Sequence, residues 1–297
     1  MNRYVIFSQS NDPFFNLAAE EYFVRNFDFS ESEYLFIYKN TSSIILGKNQ
    51  NIYKEVHLDF IKNPEIPICR RISGGGTVVH DLGNINFAFL EKRDIKRVNT
   101  YHHTVGFLVE AMNMMNITCS MNSRNAIILD NGLKVSGSAQ FASSNGILSH
   151  FTLLFNSDLD FINRCISQNS FSIKSKASES VRSLIGNVKD MKDISELDFI
   201  NKIVAAWGTT YFYELSDDDI KSILSLKLKQ YETSEWIYDK AGDAILEFKN
   251  GMVSIKNGFI SKIEQNGYDI SKPFINKRFL SSEIDNFEGL IGLLDSK

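Results

Sequence analysis

An α/β or α+β sheet protein is predicted for this chain, on three observations. Strand-like runs outnumber helical ones, yet the two types are interleaved along the sequence. The helical candidates carry a single apolar stripe at 3.6-residue spacing. The last part of the chain, from about residue 240, is punctuated by Asn250-Gly251, Asn257-Gly258 and Asn266-Gly267, and Asn-Gly is the strongest short-range hairpin signal. No internal repeat or low-complexity linker interrupts the pattern.

Taken in order, Tyr4–Phe7 is a strand, and Asp12-Pro13 opens a helix with a capping side chain and a proline in its first turn. That helix is expected to bury Phe14, Leu17, Ala18 and Tyr22. Tyr34–Tyr38 and Ser43–Leu46 follow as strands, residues 56–62 as a helix and 66–72 as a strand. A helix beginning at Thr100 presents Val105, Leu108, Val109 and Met112. Strands recur at residues 126–129, 133–135 and 146–156. Ile200, Ile203, Val204 and Trp207 mark an amphipathic helix, and Ile220, Ile223 and Leu224 another. After the β-meander, a closing helix started by Ser281 or Ser282 would show Ile284, Phe287, Ile291 and Leu294 on one face. The composition places a boundary near 236–242, giving units of 1–239 and 240–297; the second carries eight basic and eight acidic residues.

With 297 residues the chain can bury a large core. Its 43% hydrophobic and 23% charged content excludes a disordered or fibrous class. The near balance of 32 basic against 36 acidic residues gives no surface for nucleic acid. Three cysteines, Cys69, Cys119 and Cys165, form no CxxC pair, so neither a disulfide framework nor a zinc site is indicated. The N-terminus has no signal-type apolar region, and no apolar run reaches the ~18 residues of a membrane span. A soluble, cytoplasmic protein is the expectation.

The most unusual stretch runs from Arg70 through Arg71, Ile72, Ser73, Gly74, Gly75, Gly76, Thr77, Val78 and Val79 to His80 and Asp81, with Gly83-Asn84 just beyond. Three glycines between β-type runs cost entropy and pack nothing. They are justified where backbone must approach another object or take a positive φ. Two arginines beside them supply fixed charge in a fork that suits carboxylate or phosphate. A glycine corner with a surface ion pair would explain the triplet alone; the arginines before it and His80-Asp81 after it favour an anion site. Neither a Walker A loop nor GxGxxG is present, so a nucleotide would need another scaffold.

A second stretch, Lys134-Val135-Ser136-Gly137-Ser138-Ala139, puts a lysine on an apolar alternation beside small residues that leave room around its ammonium. Such a cation can hold phosphate and carboxylate together, each contact contributing ~4 kcal/mol at 4 Å and an effective dielectric near 20, before desolvation.

Together these stretches resemble the lipoate–protein ligase A family, whose RRxSGGGxVxHDxGN is met by Arg70 to Asn84 and whose K-[VI]-S-G-x-A is met by Lys134 to Ala139. Asp12 to Ala18 with Glu20-Glu21, Gly47 to Asn51, Ser123-Arg124-Asn125, Thr152 to Leu154, Lys176 with Ser180-Val181-Arg182, and Thr233 to Trp236 match further family segments in order. The resemblance implies a catalytic domain like those of biotin ligases and class II tRNA synthetases, followed by a small C-terminal α/β accessory domain. It implies that ATP, Mg²⁺ and lipoate give lipoyl-AMP and pyrophosphate. The lipoyl group then passes to a lysine of an apo-lipoyl carrier, either the glycine-cleavage H protein or the E2 lipoyl domain of a 2-oxoacid dehydrogenase. By the same resemblance Lys134 is catalytic and binds the nucleotide together with Arg71, Gly75, Gly76, Thr77, Val78 and Val79. Arg70, Ser73, Gly74, His80, Ser138, Ala139 and His150 would contact lipoate. Asn84, Asn125 and Lys176 would play secondary parts, and no residue is assigned as a direct metal ligand. Bringing two mutually repelling anions into contact needs electrostatic preorganisation and positioning rather than a covalent enzyme intermediate.

Three residues depart from the pattern. Ala126 replaces the usual aspartate after Arg-Asn, Phe151 the glycine of H-G-T, and Leu184 an arginine. The rival reading is an ATP-independent lipoyl or octanoyl transferase of the same fold, which would use a thiol; the three cysteines lie in apolar surroundings where thiols are inert.

Overall fold

The computed structural model describes residues 1–166, 169, 171–209, 211–279 and 287–295. Strand β1 (Asn2–Phe7) leads to α1 (Pro13–Asn26), β2 (Ser32–Tyr38), β3 (Ser43–Leu46) and the short helices α2 (Ile52–Glu55) and α3 (Leu58–Lys62). Next come β4 (Ile68–Arg70), β5 (Val78–His80), β6 (Asn84–Lys92) and α4 (Thr104–Met114). They are followed by β7 (Cys119–Met121), β8 (Ile127–Leu129), β9 (Ser136–Ala142), β10 (Gly146–Leu154), α5 (Leu159–Cys165) and β11 (Ser172–Lys174). Helix α6 (Glu196–Trp207), β12 (Tyr211–Phe212), α7 (Asp217–Leu226) and α8 (Ser234–Ile237) complete the larger part. The chain closes with β13 (Ala244–Phe248), β14 (Gly251–Lys256), β15 (Phe259–Gln265), β16 (Tyr268–Asp269) and α9 (Phe287–Asp295).

A six-stranded mixed sheet, in the order β12-β1-β2-β6-β10-β9, is the scaffold. Alternation along its strands feeds two cores. On one face Leu35, Phe87 and Phe151 pack with Leu108 and Met112 of α4 and with Phe199 and Trp207 of α6. On the other Phe36, Ala88 and Leu148 pack with Leu17 and Phe23 of α1 and with Ile223 of α7. A three-stranded sheet, β4-β3-β5, leaves β5 as an edge strand. The remaining large sheet, β11-β13-β14-β15-β16, combines the C-terminal meander with Ser172–Lys174. Its core is continuous with that of the small helices, since Tyr53 of α2 meets Phe279 at 5.8 Å between ring centroids.

The capping chemistry read from the sequence is present: the Asp12 side chain accepts from Phe14 N–H and Pro13 is the first helical residue of α1. Its burial pattern is different, however. Phe14 and Tyr22 are half-buried, whereas Asn16, Glu20 and Glu21 are buried. The helix is enclosed by the sheet and by α7, so polar residues face inward and find partners there. The helix expected at 56–62 is α3, which begins only at Leu58 because Val56 is extended (φ −115°, ψ 134°) and His57 is the cap; α2, just before it, was not expected. Residues 133–135 are not a strand: Lys134 makes only isolated bridges, to Ile128 and Ile185, and the strand begins at Ser136. Ser281, Ser282 and Ile284 lie outside the described residues, while Leu294 of α9 is buried.

Two of the three Asn-Gly pairs form the anticipated turns, with positive φ at both residues: 48° and 83° at Asn257-Gly258, 49° and 82° at Asn266-Gly267. Gly251 serves another purpose, as its strand pairs with both neighbours and a Cβ there would lie 2.2 Å from the Glu264 carbonyl oxygen. We expect Gly267→Ala to cost the ~1–2 kcal/mol of left-handed strain alone. Gly258→Ala costs more, because its Cβ would also sit 2.3 Å from Asp239 Oδ1. Urea midpoints ranking the two variants in the opposite order would refute this reading.

Candidate functional site

The adjacent arginines turn to different tasks. Arg70 ends β4 and is fully buried. Its guanidinium donates to the carbonyls of Gly47, Lys48 and Gln50 on one side and of Trp236 and Ile237 on the other, at 2.6–3.2 Å. Trp236 Nε1–H returns a 2.7 Å bond to the Arg70 carbonyl. Arg70 is therefore a brace between two chain segments rather than a ligand contact, which corrects the sequence expectation. Arg71 faces the glycine loop. Its Nη2 donates to the Gly74 and Gly76 carbonyls at 2.6 and 2.8 Å, its Nη1 to Ile45 O at 3.3 Å and its Nε to Ser73 Oγ at 2.9 Å. Burial lowers both guanidinium pKa values to about 10.

The three glycines have three different environments. Gly75 has φ +91°, and a Cβ on it would meet Arg71 Nη2 at 3.0 Å. Gly76 lies against Ser180, and Gly74 faces open space. Opposite them, Gly47 lets its turn approach so closely that a Cβ would lie 2.1 Å from the Gly75 carbonyl oxygen. The loop is thus shaped from beneath by Arg71 and flanked by bare backbone.

Under this loop lies a cavity of about 290 Å³. Its inner wall is buried: Leu17 of α1, Tyr38 of β2, Ile45 of β3, His80 of β5 and His150 of β10. Toward the mouth it is lined by Lys134, the exposed Arg124 and Val181, and by Gly75, Gly76 and Thr77. Val78, Ser138 and Ala139 complete the contact with β5 and β9. A second hollow of about 100 Å³ shares Val78, Lys134, Gly137 and Thr152 with the first and adds Val79 and Arg182. Lys134 therefore stands where the two join. Among the described residues its ammonium has no hydrogen bond or ion pair, and burial, with Arg124 nearby, lowers its pKa.

Other sequence candidates sit elsewhere. Ser73 is buried outside the lining, between Arg71 and His150. Thr77 gives its N–H to Ser180 Oγ at 2.8 Å and its hydroxyl to Gln50 Oε1, so that backbone donor is already engaged. Asn84 bonds Asn86 within the sheet. Asn125 has φ 59° and its carbonyl accepts from Ser138 Oγ at 2.8 Å. Lys176 is exposed and does not line the cavity. Phe151 touches the cavity, but its ring packs on Phe89 and Tyr101 at 5.7 and 6.5 Å.

Two polar relays run behind the cavity, and neither was assigned from the sequence. In one, His150 Nδ1–H donates to Glu20 Oε2 at 2.7 Å and Ser73 Oγ–H donates to His150 Nε2 at 2.6 Å. The same carboxylate takes the Tyr38 hydroxyl at 2.9 Å. Glu20 is thereby linked through His150 and Ser73 to Arg71, a counter-charge for a buried cation. In the other, Asn16 bonds Asn40, and Asn40 bonds His80. The available signal was two glutamates and an asparagine inside an apolar helix pattern. Glu55, which accepts from Ser180 N–H and hydroxyl, was likewise unassigned.

A cleft with cations at its mouth and buried Leu17, Tyr38, Ile45 and two histidines at its inner end has the shape of a small-molecule site. The model of the lipoyl protein ligase A/B catalytic domain matches residues 12–208, and the chain belongs to that family. It is 37% identical over 254 residues to lipoate–protein ligase 1 of Staphylococcus aureus, covering 82% of this chain and 77% of that one. It is 34% identical over 239 residues to the lipoate-protein ligase LplJ of Bacillus subtilis, 78% and 72% respectively. The human mitochondrial lipoyl amidotransferase LIPT1 is 28% identical over 298 residues, 97% and 76%. Among solved structures, a bipartite lipoate protein ligase of Thermoplasma acidophilum, described with its E2 lipoyl domain, superposes with TM-score 0.70 at 21% identity, covering 81% of this chain and 97% of that one. A lipoate-protein ligase A bound with ATP gives 0.69 at 23%, 81% and 99%. LipL1 of Plasmodium falciparum in complex with lipoate gives 0.68 at 22%, 96% and 94%. These likenesses establish the fold.

Burial and the nearby Arg71 and His150 lower the His80 pKa from 6.5 to about 3. The unfolded chain therefore binds one more proton than the folded chain across that window, so stability falls as pH drops through it. The urea midpoint declines below pH 6.5, and His80→Gln flattens the decline by one proton. Identical slopes in the two proteins would mean that His80 is already protonated in the folded state.

Proposed function

We propose that this enzyme is an ATP-dependent lipoate–protein ligase that forms lipoyl-AMP, releases pyrophosphate, and passes the lipoyl group to a lysine of an apo-lipoyl carrier. The observation that carries this is the unpaired Lys134 ammonium at the junction of two hollows. One hollow has an apolar inner end suited to an acyl chain. The other lies along β5, an edge strand whose outer side, at Val78 and Val79, has no ladder partner among the described residues. A carboxylate from the first and an α-phosphate from the second would meet at Lys134. The ammonium would offset their repulsion and stabilise charge developing on phosphorus. Arg124 adds a second cation at the mouth, and Arg71 holds the glycine loop in the shape that covers the acyl-adenylate.

The lining residues fit magnesium carried in by the nucleotide rather than a protein cage. Among described residues the only carboxylate lining either hollow is Glu179, and Mg²⁺ is commonly held by one or two carboxylates plus substrate phosphates. The ion would neutralise phosphate charge. The carrier's lysine would enter over the exposed segment at Val181–Leu184. Residues 1–239 are proposed as the catalytic unit and 240–297 as an accessory one.

The second reading, an acyl transferase that uses no ATP, is favoured by the likeness to a human amidotransferase. A thiol route is disfavoured by burial, which raises Cys119 to about 11, Cys165 to about 12 and Cys69 well above the ordinary thiol range. The deciding experiment combines purified protein, ATP, Mg²⁺, lipoate and an apo-lipoyl domain. Lipoate-dependent pyrophosphate release with one lipoyl mass added to the domain is expected; transfer without pyrophosphate would establish the transferase instead. Lys134→Ala should lower pyrophosphate release by at least ~10²-fold, the scale of losing one preorganised charge contact, with an unchanged circular dichroism spectrum. Replacing all three cysteines with serine should leave acyl transfer to the carrier intact in any variant that folds, and labelling of native protein by iodoacetamide at pH 8 should be slow.

A further inference from the structure

Glu55, the last residue of α2, is a buried carboxylate that no step of the proposed reaction uses. Among the described residues it has no ion pair; its two oxygens accept instead from one residue, Ser180, taking the backbone N–H at 3.0 Å and the hydroxyl.

The direction of each hydrogen in this cluster follows from its neighbours. The Gly47 N–H, a fixed donor, meets one end of the Gln50 side chain at 2.9 Å, which makes that end the oxygen. The other end is the NH₂, and it donates to Ser180 Oγ at 3.0 Å. Thr77 N–H donates to the same oxygen at 2.8 Å. With two donors aimed at it, Ser180 Oγ sends its own hydrogen to Glu55. The chain of donors ends on the carboxylate, the acceptor on which the rest depend.

Ser180 joins three segments at this point. It holds Thr77 at the end of the glycine loop and Gln50 in the facing turn, and it opens an exposed span. Along that span Val181, Arg182 and Ser183 make no hydrogen bond or ion pair among the described residues. The next fixed point is Leu184, whose carbonyl accepts from Lys134 N–H at 2.9 Å. Lys54 also pairs with Glu179 just upstream, but that carboxylate is exposed, and surface pairs of this kind contribute only ~0–1 kcal/mol. The span walls both hollows, and Arg182 lines the nucleotide side alone. The inner end of the first cavity, at Leu17, Tyr38, Ile45 and His150, is built from other elements.

We propose that Glu55 is a positioning residue for acid activation: acting through Ser180, it fixes the 180–184 span and the Thr77 amide against each other and so sets the wall that receives the nucleotide. The inference rests on the proposed acid-activating reading of the site.

The test separates charge from shape. Glu55→Gln keeps the size of the side chain, but whichever way the new amide turns, its NH₂ meets a donor of Ser180. In lipoate-dependent pyrophosphate release by the full-length protein, the KM for ATP should rise about tenfold while the KM for lipoate stays within about twofold. Ser180→Ala should give the same split. In that background Glu55→Gln should add less than about twofold, because the mismatched hydroxyl is gone; two effects that multiply would overturn the route through Ser180. Amide exchange in Glu55→Gln should quicken at Thr77 and across 180–184, with α1 and β10 still protected. Equal rises in the two KM values would show general damage and overturn the proposal. An unchanged KM for ATP in a working Glu55→Gln enzyme would overturn this inference alone. Absence of pyrophosphate from the unaltered enzyme would overturn the functional reading and this inference with it.

Discussion

A buried guanidinium must find acceptors, and in this protein two of them, on successive residues, find main-chain carbonyls. Successive side chains at the end of a strand diverge, so the donors of Arg70 and Arg71 reach different parts of the chain. Arg70 gathers the Gly47–Gln50 turn and the Trp236–Ile237 segment; Arg71 gathers the loop of three glycines. Most of these carbonyls lie in the Gly47–Gln50 turn, at the end of α8 or in the glycine loop, which is why the surrounding chain is irregular yet ordered. The cavity exists because the loop is held open around one cation while the other pins its neighbour. Loops without regular structure can be made rigid by a charge in their midst.

The second constraint is the polar interior of α1. An ordinary amphipathic helix would expose Asn16, Glu20 and Glu21. Here each is buried and each has a designated partner: Asn40 for Asn16, His150 and Tyr38 for Glu20, Tyr231 and Arg25 for Glu21. Buried polar groups in such chains are costly unless fully satisfied. Their satisfaction fixes ring orientations and proton positions on the cavity wall, a property an apolar core cannot supply. Stability and chemistry meet in the same few side chains.

Much of this was legible in the residues. Caps, turns and apolar stripes located most elements, because those signals are local: Asp12 before Pro13, or Asn257 before Gly258. The glycine triplet and Lys134 were visible as departures from good strand sequence. What could not be read was direction. Arg70 and Arg71 are chemically identical in the sequence, and only the fold sends one toward the cavity and the other away from it. Likewise Leu133 to Val135 alternates like a strand, but the ladder that would pair it begins at Ser136. The relays through Glu20 and Asn40 join residues 130 and 40 positions apart, so no spacing announces them. At Asn250-Gly251 the expected hairpin forms, but its two loop residues are Lys249 and Asn250, and Gly251 already belongs to the strand, because a glycine needed for close strand contact looks the same as one needed for a turn.

Strand β11 belongs to the sheet built mainly by the C-terminal meander, pairing Ser172–Lys174 with Ile245–Glu247. Five residues after it ends, Glu179 and Ser180 are already walls of the cavity. One continuous ribbon is therefore moored at its upstream end to the meander and runs at its downstream end along the cavity. The ribbon is fastened twice, to the meander through β11 and to the segment around α2 through Gln50, Lys54 and Glu55, so the C-terminal sheet and the cavity wall share one stretch of chain.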